Sequence, residues 1–382
     1  MSPTPFDELQ RIAQDAGVDK SLDFLEHHFR RDQEYFKLFE VLKMRCRRRL
    51  GLPLTYGDQP DELDESEQRK LEDGLLDACR EVGTLFFKSG QLQEGWMYLQ
   101  PVGDKALTEK LIRAIEPDEE NIDTIIEIAV SQGGAPVYGF GLLLKHYGTC
   151  NGITTFDTQA ARFEEDTRRK MASELLKHLY HELMENVRYA IEQNGGQVDP
   201  DASLVELMQT HPDLTSGGAH HIDTTHLASV MRIAQPVGDR EDLRLASELA
   251  NYGSQLDKDF QYPGSPPFED TYTDHQMYYR GLLGQDVEDA IKHFENKVET
   301  VDADQFGPVA IETLVDFLVR VGRVDQALEV SMDRLVGKHE PMGIAPNLFE
   351  IAKTPEQLKR LREFYQAEDD LLGYAVSLLK SP

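Results

Sequence analysis

Apolar residues recur at spacings of three and four positions along most of the chain, which is the period of an α-helix with one buried face. Residues 5–50, 166–193 and 243–256 show this pattern. In residues 166–193 the apolar positions cover a wide arc, so we expect that helix to be buried on two sides. No segment alternates apolar and polar residues as a strand does. The chain is therefore predicted to be all-α.

Segments rich in proline, glycine or acidic residues interrupt these helices. Residues 52–67 predict an exposed linker. Residues 133–157, which hold six glycines, predict loops and close approaches of the chain, with a short helix at 140–146. Residues 258–275 predict a loop rich in proline and aromatic residues. These interruptions predict four parts. Residues 1–57 form an N-terminal helical segment and residues 65–130 form helical hairpins. Residues 131–217 form a glycine-rich region with the long central helix, and residues 218–382 form a second helical-repeat half with C-terminal capping helices.

One five-residue sequence occurs twice. Gln100-Pro-Val-Gly-Asp104 recurs 135 positions later as Gln235-Pro-Val-Gly-Asp239, and the apolar positions before it are repeated as well. Proline disfavours the α conformation in the residue before it, glycine permits a turn, and aspartate can cap the next helix. Both copies, which we name the first and second QPVGD turns, are predicted to connect two helices in two related halves of the chain.

A paired-helix signature ends just before the first QPVGD turn. It consists of Val82, Gly83, Phe86, Gly90, Leu92, Gly95 and Leu99. Similar spacings occur at Leu314, Leu318, Gly322, Val324 and Ala327, and in a poorer copy at Met277, Ala290 and Phe294. These spacings resemble those of tetratricopeptide repeats. The resemblance implies antiparallel helical hairpins stacked in a solenoid-like array, which binds a peptide or protein partner on a concave surface without chemistry of its own.

The charge of the chain narrows the possible partners. Forty Lys and Arg against 69 Asp and Glu give a formal charge of −29, which disfavours nucleic acid and anionic membranes as partners. The three cysteines form no CxxC pair, which suits a reducing compartment. The N-terminal residues show no secretory pattern, and the most apolar region, residues 133–144, is too short to span a bilayer. We therefore expect a cytoplasmic protein with no membrane or nucleic-acid partner.

The densest group of side chains able to bind a metal or transfer a proton precedes the second turn. It contains His220, His221, Asp223 and His226. Asp223 is predicted to cap a helix, which places His226 in its first turn, where the helix dipole favours the neutral imidazole that a metal or general base requires. The first copy of the repeat has none of these groups at the positions that match His221, Asp223 and His226, which hold Phe86, Lys88 and Gln91.

The long central helix offers a second set of ligands. His178, His181, Glu182 and Glu185 are spaced to lie on one helix face, and helical bundles hold iron, manganese or zinc with imidazoles and carboxylates on such faces. One hypothesis is therefore a divalent transition metal, Zn, Mn or Fe, whose ligands come from His220, His221, Asp223, His226, His178, His181, Glu182 and His146. The alternative is that Asp223 only caps its helix, that the histidines near it lie on a polar surface or bond to the backbone, and that the groups on the long helix form a solvated face.

The sequence therefore supports two hypotheses for the function. The first is a helical-repeat scaffold that binds a protein or peptide, and it predicts an open groove lined by the first helices of the hairpins. The second is a metal-dependent enzyme or metal-binding protein that uses the histidine and carboxylate cluster.

Overall fold

The computed structural model describes residues 4–55 and 63–380. Regular secondary structure in these ranges is helical, without a β-strand, so the all-α prediction is confirmed. The chain divides into two compact units, one ending at His146 and the other beginning at Tyr147. The solenoid-like array, its two related halves and the four-part division stay predictions. Residues 56–62 of the predicted linker lie outside the described ranges.

The helices of the first unit pack against their neighbours in sequence. Phe86 lies in the apolar core that α3 and α4 share, and Phe87 in the core that extends from α4 to α7. The bounds are α1 Pro5–Asp15, α2 Gly17–Arg31, α3 Tyr35–Arg49, α4 Glu65–Lys88, α5 Leu92–Leu99, α6 Lys105–Arg113 and α7 Ile122–Ile126.

The paired-helix signature around residue 90 corresponds to a hairpin of α4 and α5. A Cβ atom on Gly83 would lie 2.7 Å from Cγ of Leu99, and one on Gly95 would lie 2.4 Å from the ring of Phe87. Larger side chains at these two glycines would therefore push the helices apart. Gly90, with φ of 80°, supplies the left-handed turn between them. Two glycines of the signature permit close helix packing, and the third permits the turn.

The prediction of loops holds for residues 133–135, which are not helical, but it is wrong from residue 136 onward. A helix, α8, spans Pro136–Gln159, and Gly148 is its one non-helical residue, with φ of 75° and ψ of −178°. Another glycine of this region serves packing, because a Cβ on Gly139 would lie 2.4 Å from Cβ of Ala129. The glycine content thus reflects close contact between helices as well as a kink.

The second unit is organised around the long helix α9, Glu165–Gln193, which packs against α11 and α12. Ten of its residues are buried, so the predicted burial on two sides is confirmed. No described helix has the length and apolar character needed to cross a membrane. The other bounds are α10 Leu204–Thr210, α11 Thr224–Ile233, α12 Arg240–Ser254, α13 Thr271–Leu282, α14 Val287–Thr300, α15 Ala303–Phe306, α16 Val309–Arg320, α17 Val324–Val330, α18 Leu348–Ile351, α19 Pro355–Ala367 and α20 Leu371–Leu379.

Both QPVGD turns connect two helices, as predicted. The first joins α5 to α6 and the second joins α11 to α12. The expected break before proline does not occur in the first turn, where Gln100 keeps helical dihedral angles and a short 3₁₀ turn runs from Gln100 to Val102. The direction of the chain changes at Gly103 instead, which adopts a left-handed conformation.

Candidate functional site

Asp223 caps α11, as predicted. Its Oδ1 accepts hydrogen bonds from the backbone nitrogen of Thr225 at 2.8 Å, from the Thr225 hydroxyl at 2.6 Å and from the backbone nitrogen of His226 at 3.3 Å. The hydrogen bond from the Thr225 hydroxyl is the main cause that lowers the pKa of this carboxyl. The carboxylate therefore already has a structural role, and it stays ionised to fulfil it.

The two adjacent histidines, His220 and His221, point to different neighbours. His220 is exposed, with its ring centroid 4.7 Å from that of Phe260. The half-buried His221 donates a backbone hydrogen bond of 2.9 Å to the hydroxyl of Tyr252, whose oxygen lies 3.4 Å from the ring Nδ1. Burial lowers the pKa of His221, which favours a neutral imidazole near neutral pH.

The residues predicted to share one face of α9 form two pairs with different exposure. Glu182 is partly buried and accepts a 2.8 Å hydrogen bond from the hydroxyl of Thr149. His178, one turn earlier, is also partly buried, and burial lowers its pKa. The other pair, His181 and Glu185, is exposed, with Nε2 and Oε1 3.2 Å apart.

The structure brings part of the proposed ligand set into one region of the second unit. The helix α9 packs against α11, and Asn186 of α9 donates a 2.9 Å hydrogen bond to the carbonyl of His221. His146 is an exposed residue at the end of the first unit. Within residues 4–55 and 63–380, no group of three or more His, Cys, Asp and Glu side chains is arranged to hold a metal ion. The metal site stays a prediction.

A groove lies between two consecutive hairpins of the second unit, α13 with α14 and α16 with α17. Its volume is about 680 Å³. The helices α14 and α17 both pack against α16, which supplies the buried Leu314 and Leu318 to the floor. The sequence predicted a groove lined by the first helices of the hairpins. That holds for the floor, but the walls are the second helices, because α16 lies between α14 and α17.

Two ion pairs connect the walls of this groove. Glu288 at the start of α14 pairs with Arg323 at the start of α17, and Glu299 near the end of α14 pairs with Arg334 at 2.8 Å. The walls therefore run in the same direction. Eleven residues separate the pairs on each wall (299 − 288 and 334 − 323), so the two pairs lie about 16 Å apart along the helices. The groove lies toward the Glu299–Arg334 end of this stretch.

The lining of the groove is acidic above an apolar floor. Four carboxylates, Glu295, Glu299, Glu329 and Asp333, line it together with one cation, Arg334. Arg334 forms ion pairs with Glu299 and Asp333. In the described part of the chain, Glu295 on α14 and Glu329 on α17 have no ion-pair partner. The groove therefore presents uncompensated negative charge from both walls.

Comparisons of the chain with protein-family models, curated proteins and solved structures find no match.

The position of this groove and the residues that line it were not predicted from the sequence, although the sequence contains a signal for them. The two ion pairs join residues 35 positions apart, which are Glu288 to Arg323 and Glu299 to Arg334. The two acidic residues are as far apart in sequence as the two basic residues, and the two pairs are offset by one hairpin repeat. This pattern indicates parallel helices that pair in register. The degenerate repeat at Met277 and Leu314 gives nearly the same offset, 37.

Proposed function

We propose that this protein is a non-catalytic interaction scaffold that binds a Lys- or Arg-bearing peptide segment of a protein partner in the groove between α14 and α17. The observation that carries the proposal is the pair of uncompensated carboxylates, Glu295 and Glu329, on opposite walls above an apolar floor. A peptide with an apolar side chain between two cations complements this arrangement. The resemblance of the hairpins to tetratricopeptide repeats supports the same class of function.

Preorganisation supports binding at this groove. The packing of α14 and α17 against α16, together with the two ion pairs between the walls, fixes both helices without a ligand, so binding orders little protein chain. Exposed ion pairs contribute about 0.2–1 kcal/mol each, so two peptide cations add about 1 kcal/mol between them. Apolar contact with the partly buried Val298 and Val330, which line the groove above the buried leucines, supplies the remainder. We expect a moderate affinity that decreases as salt screens the charges.

The test uses synthetic peptides of about eight residues that carry leucine between lysines, with glutamate in place of lysine as the comparison. Glu295→Gln with Glu329→Gln is expected to weaken binding of the lysine peptide about threefold to tenfold in calorimetry. Glu295→Lys with Glu329→Lys is expected to reverse the preference in favour of the glutamate peptide. Both side chains are exposed, so the thermal midpoint of the protein should not change.

The matched control removes the same charge elsewhere in the second unit, through Glu192→Gln with Asp213→Asn at two exposed positions. It should leave the affinity unchanged. Equal losses in the control and the groove variant would mean that the peptide responds to net charge alone. Equal binding of the lysine and glutamate peptides would also contradict the proposal.

A further inference from the structure

In the helix α20, small residues face the protein and large apolar residues face the solvent, which is the reverse of an ordinary surface helix. Its two buried residues are Gly373 and Ser377. Its leucines are exposed, with Leu371 at 81%, Leu372 at 75%, Leu378 at 56% and Leu379 at 80% of their accessible surface. A surface helix ordinarily buries its apolar face, and contiguous exposed apolar patches mark interaction sites.

The packing between α19 and α20 requires the small residues on the inside. A Cβ on Gly373 would lie 2.4 Å from the ring of Tyr365 on α19. Arg362 of α19 donates a 3.2 Å hydrogen bond to the carbonyl of Ser377. The helix therefore cannot turn its leucines inward without separating from α19.

Both ends of α20 are also fixed. Asp370 caps the first turn by accepting a 2.9 Å hydrogen bond from the backbone nitrogen of Gly373. At the other end, Lys380 donates to the carbonyls of Phe349 and Ala352. The orientation of the apolar face is thus determined by contacts along the whole helix.

The exposed residues form a stripe suited to another helix. Leu372, Val376 and Leu379 follow the spacing i, i+4 and i+7, and Leu371 and Leu378 form a parallel row seven residues long. We name these five side chains the α20 stripe. Two adjacent rows of this kind are the pattern by which an amphipathic helix packs onto a partner helix.

The charges beside the stripe select the partner. Glu368, Asp369 and Asp370, all exposed, immediately precede it. A second copy packed in parallel would place these acidic groups together. An antiparallel copy would place them at the negative end of a helix dipole, where the cation Lys380 already donates to two backbone carbonyls. Two chains of charge −29 also repel each other. A cationic partner avoids all three penalties.

We infer that the α20 stripe is a docking surface for an amphipathic helix of a protein partner, one that presents an apolar stripe with Lys or Arg beside it. This surface is separate from the groove between α14 and α17, and the inference does not depend on the function proposed for that groove. It adds a second binding surface to the same unit.

The test uses a synthetic peptide helix of about 18 residues, or about five turns, with one leucine stripe and lysines elsewhere. A peptide of the same composition with a scrambled order has no stripe, and a third peptide has glutamate in place of lysine. Fluorescence anisotropy is expected to show saturable binding of the first peptide alone. Leu372→Glu with Leu379→Glu is expected to weaken that binding about tenfold or more.

This double substitution separates apolar docking from charge attraction, because it adds two negative charges. Simple attraction of a cationic peptide would become stronger, whereas docking on the stripe becomes weaker. The matched control, Met97→Glu with Tyr189→Glu, adds the same charge at two other exposed apolar residues and should retain the affinity. The groove variant Glu295→Gln with Glu329→Gln should retain it as well, which distinguishes this proposal from the previous one.

Three results would overturn the inference. The first is equal binding of the striped and scrambled peptides, and the second is unchanged affinity in the Leu372 and Leu379 variant with an unchanged thermal midpoint. The third is sedimentation of the full chain as a dimer that this variant converts to a monomer, which would make a second copy the occupant of the stripe.

Discussion

The two QPVGD turns have the same five residues but are held in place differently. The first is exposed and is fixed by local contacts, since Gly103 is left-handed and Asp104 accepts a 2.9 Å hydrogen bond from the backbone nitrogen of Leu107. In the second turn, Gly238 does not have a positive φ, and Asp239 makes no side-chain capping bond. A repeated sequence has thus produced the same connection with two different backbone conformations.

Long-range contacts explain the difference. Arg320, 85 residues after Gln235, donates a 2.9 Å hydrogen bond to the Gln235 carbonyl and a second hydrogen bond to the Val237 carbonyl. Val237 is buried, whereas its counterpart Val102 is partly exposed. The anchored turn has neither a left-handed glycine nor a capping aspartate. The comparison shows that tertiary contacts can replace local turn chemistry within one short sequence.

The largest expected effect comes from removing that anchor. Arg320→Met should lower the free energy of unfolding of the second unit by about 3 kcal/mol, because it leaves two carbonyls and the carboxylate of Asp316 without their cation. Arg320 also lies within 2.9 Å of the hydroxyl of Tyr278. Circular dichroism during urea unfolding measures the loss, and Arg320→Lys, which keeps the charge but fewer donors, should lose less.

Trp96, the one tryptophan of the chain, is in the first unit beside the first turn. Its fluorescence transition should therefore not move in the Arg320 variant. An equal shift in fluorescence and circular dichroism would show that the two turns do not have separate energetic roles.

The second turn is also expected to be sensitive to acid through His275. This buried imidazole donates from Nδ1 to the carbonyl of Thr271 at 2.5 Å, which leaves Nε2 to accept from the amide of Gln235 at 3.2 Å. Burial lowers its pKa to about 4, compared with about 6.5 in the unfolded chain. Between these values the unfolded state binds a proton that the folded state excludes. The free energy of unfolding should fall by about 3 kcal/mol as pH decreases from 6.5 to 4.

His275→Gln removes this titration. The variant should be less stable than the wild type at pH 7, but its stability should decrease less steeply between pH 6.5 and 4 in urea unfolding followed by circular dichroism. The carboxyl groups titrate equally in both proteins. The difference between the two slopes of unfolding free energy against pH therefore reports His275 alone. Parallel curves for the two proteins would contradict the assignment.

The features that could be predicted from the sequence are those set by local chemistry. The periodicity of the apolar residues predicted the all-α fold and the two-sided burial of α9, and the spacing around Asp223 predicted its capping role. For the glycines of residues 133–157 the sequence predicted both loops and close approaches but could not assign them to positions, because a glycine that permits a turn and one that permits close packing look alike in sequence. Only the neighbour distinguishes them, as Ala129 does for Gly139.

The histidine cluster and the groove show the same limit of prediction from sequence. The sequence grouped the histidines near residue 220, but their neighbours Tyr252 and Phe260 come from later segments, and only packing brings them together. The groove depends on α16 lying between α14 and α17. Its carboxylates are visible in the sequence as ordinary surface charges, and their position on facing walls is a result of tertiary structure.

The smallest expected effect uses the glycines of the two turns as a matched pair. Gly103→Ala should destabilise the first unit by about 1 kcal/mol, because alanine at a φ of 68° is strained although no atom lies within 4 Å of the added Cβ. Gly238→Ala also meets no atom within 4 Å and has no positive φ, so it should be neutral or stabilise the second unit by up to about 1 kcal/mol through a less flexible unfolded chain. Trp96 fluorescence reports the first substitution, and circular dichroism reports the second. Equal losses at the two positions would mean that the second turn still requires its glycine, and that Arg320 adds to the local chemistry of the turn instead of replacing it.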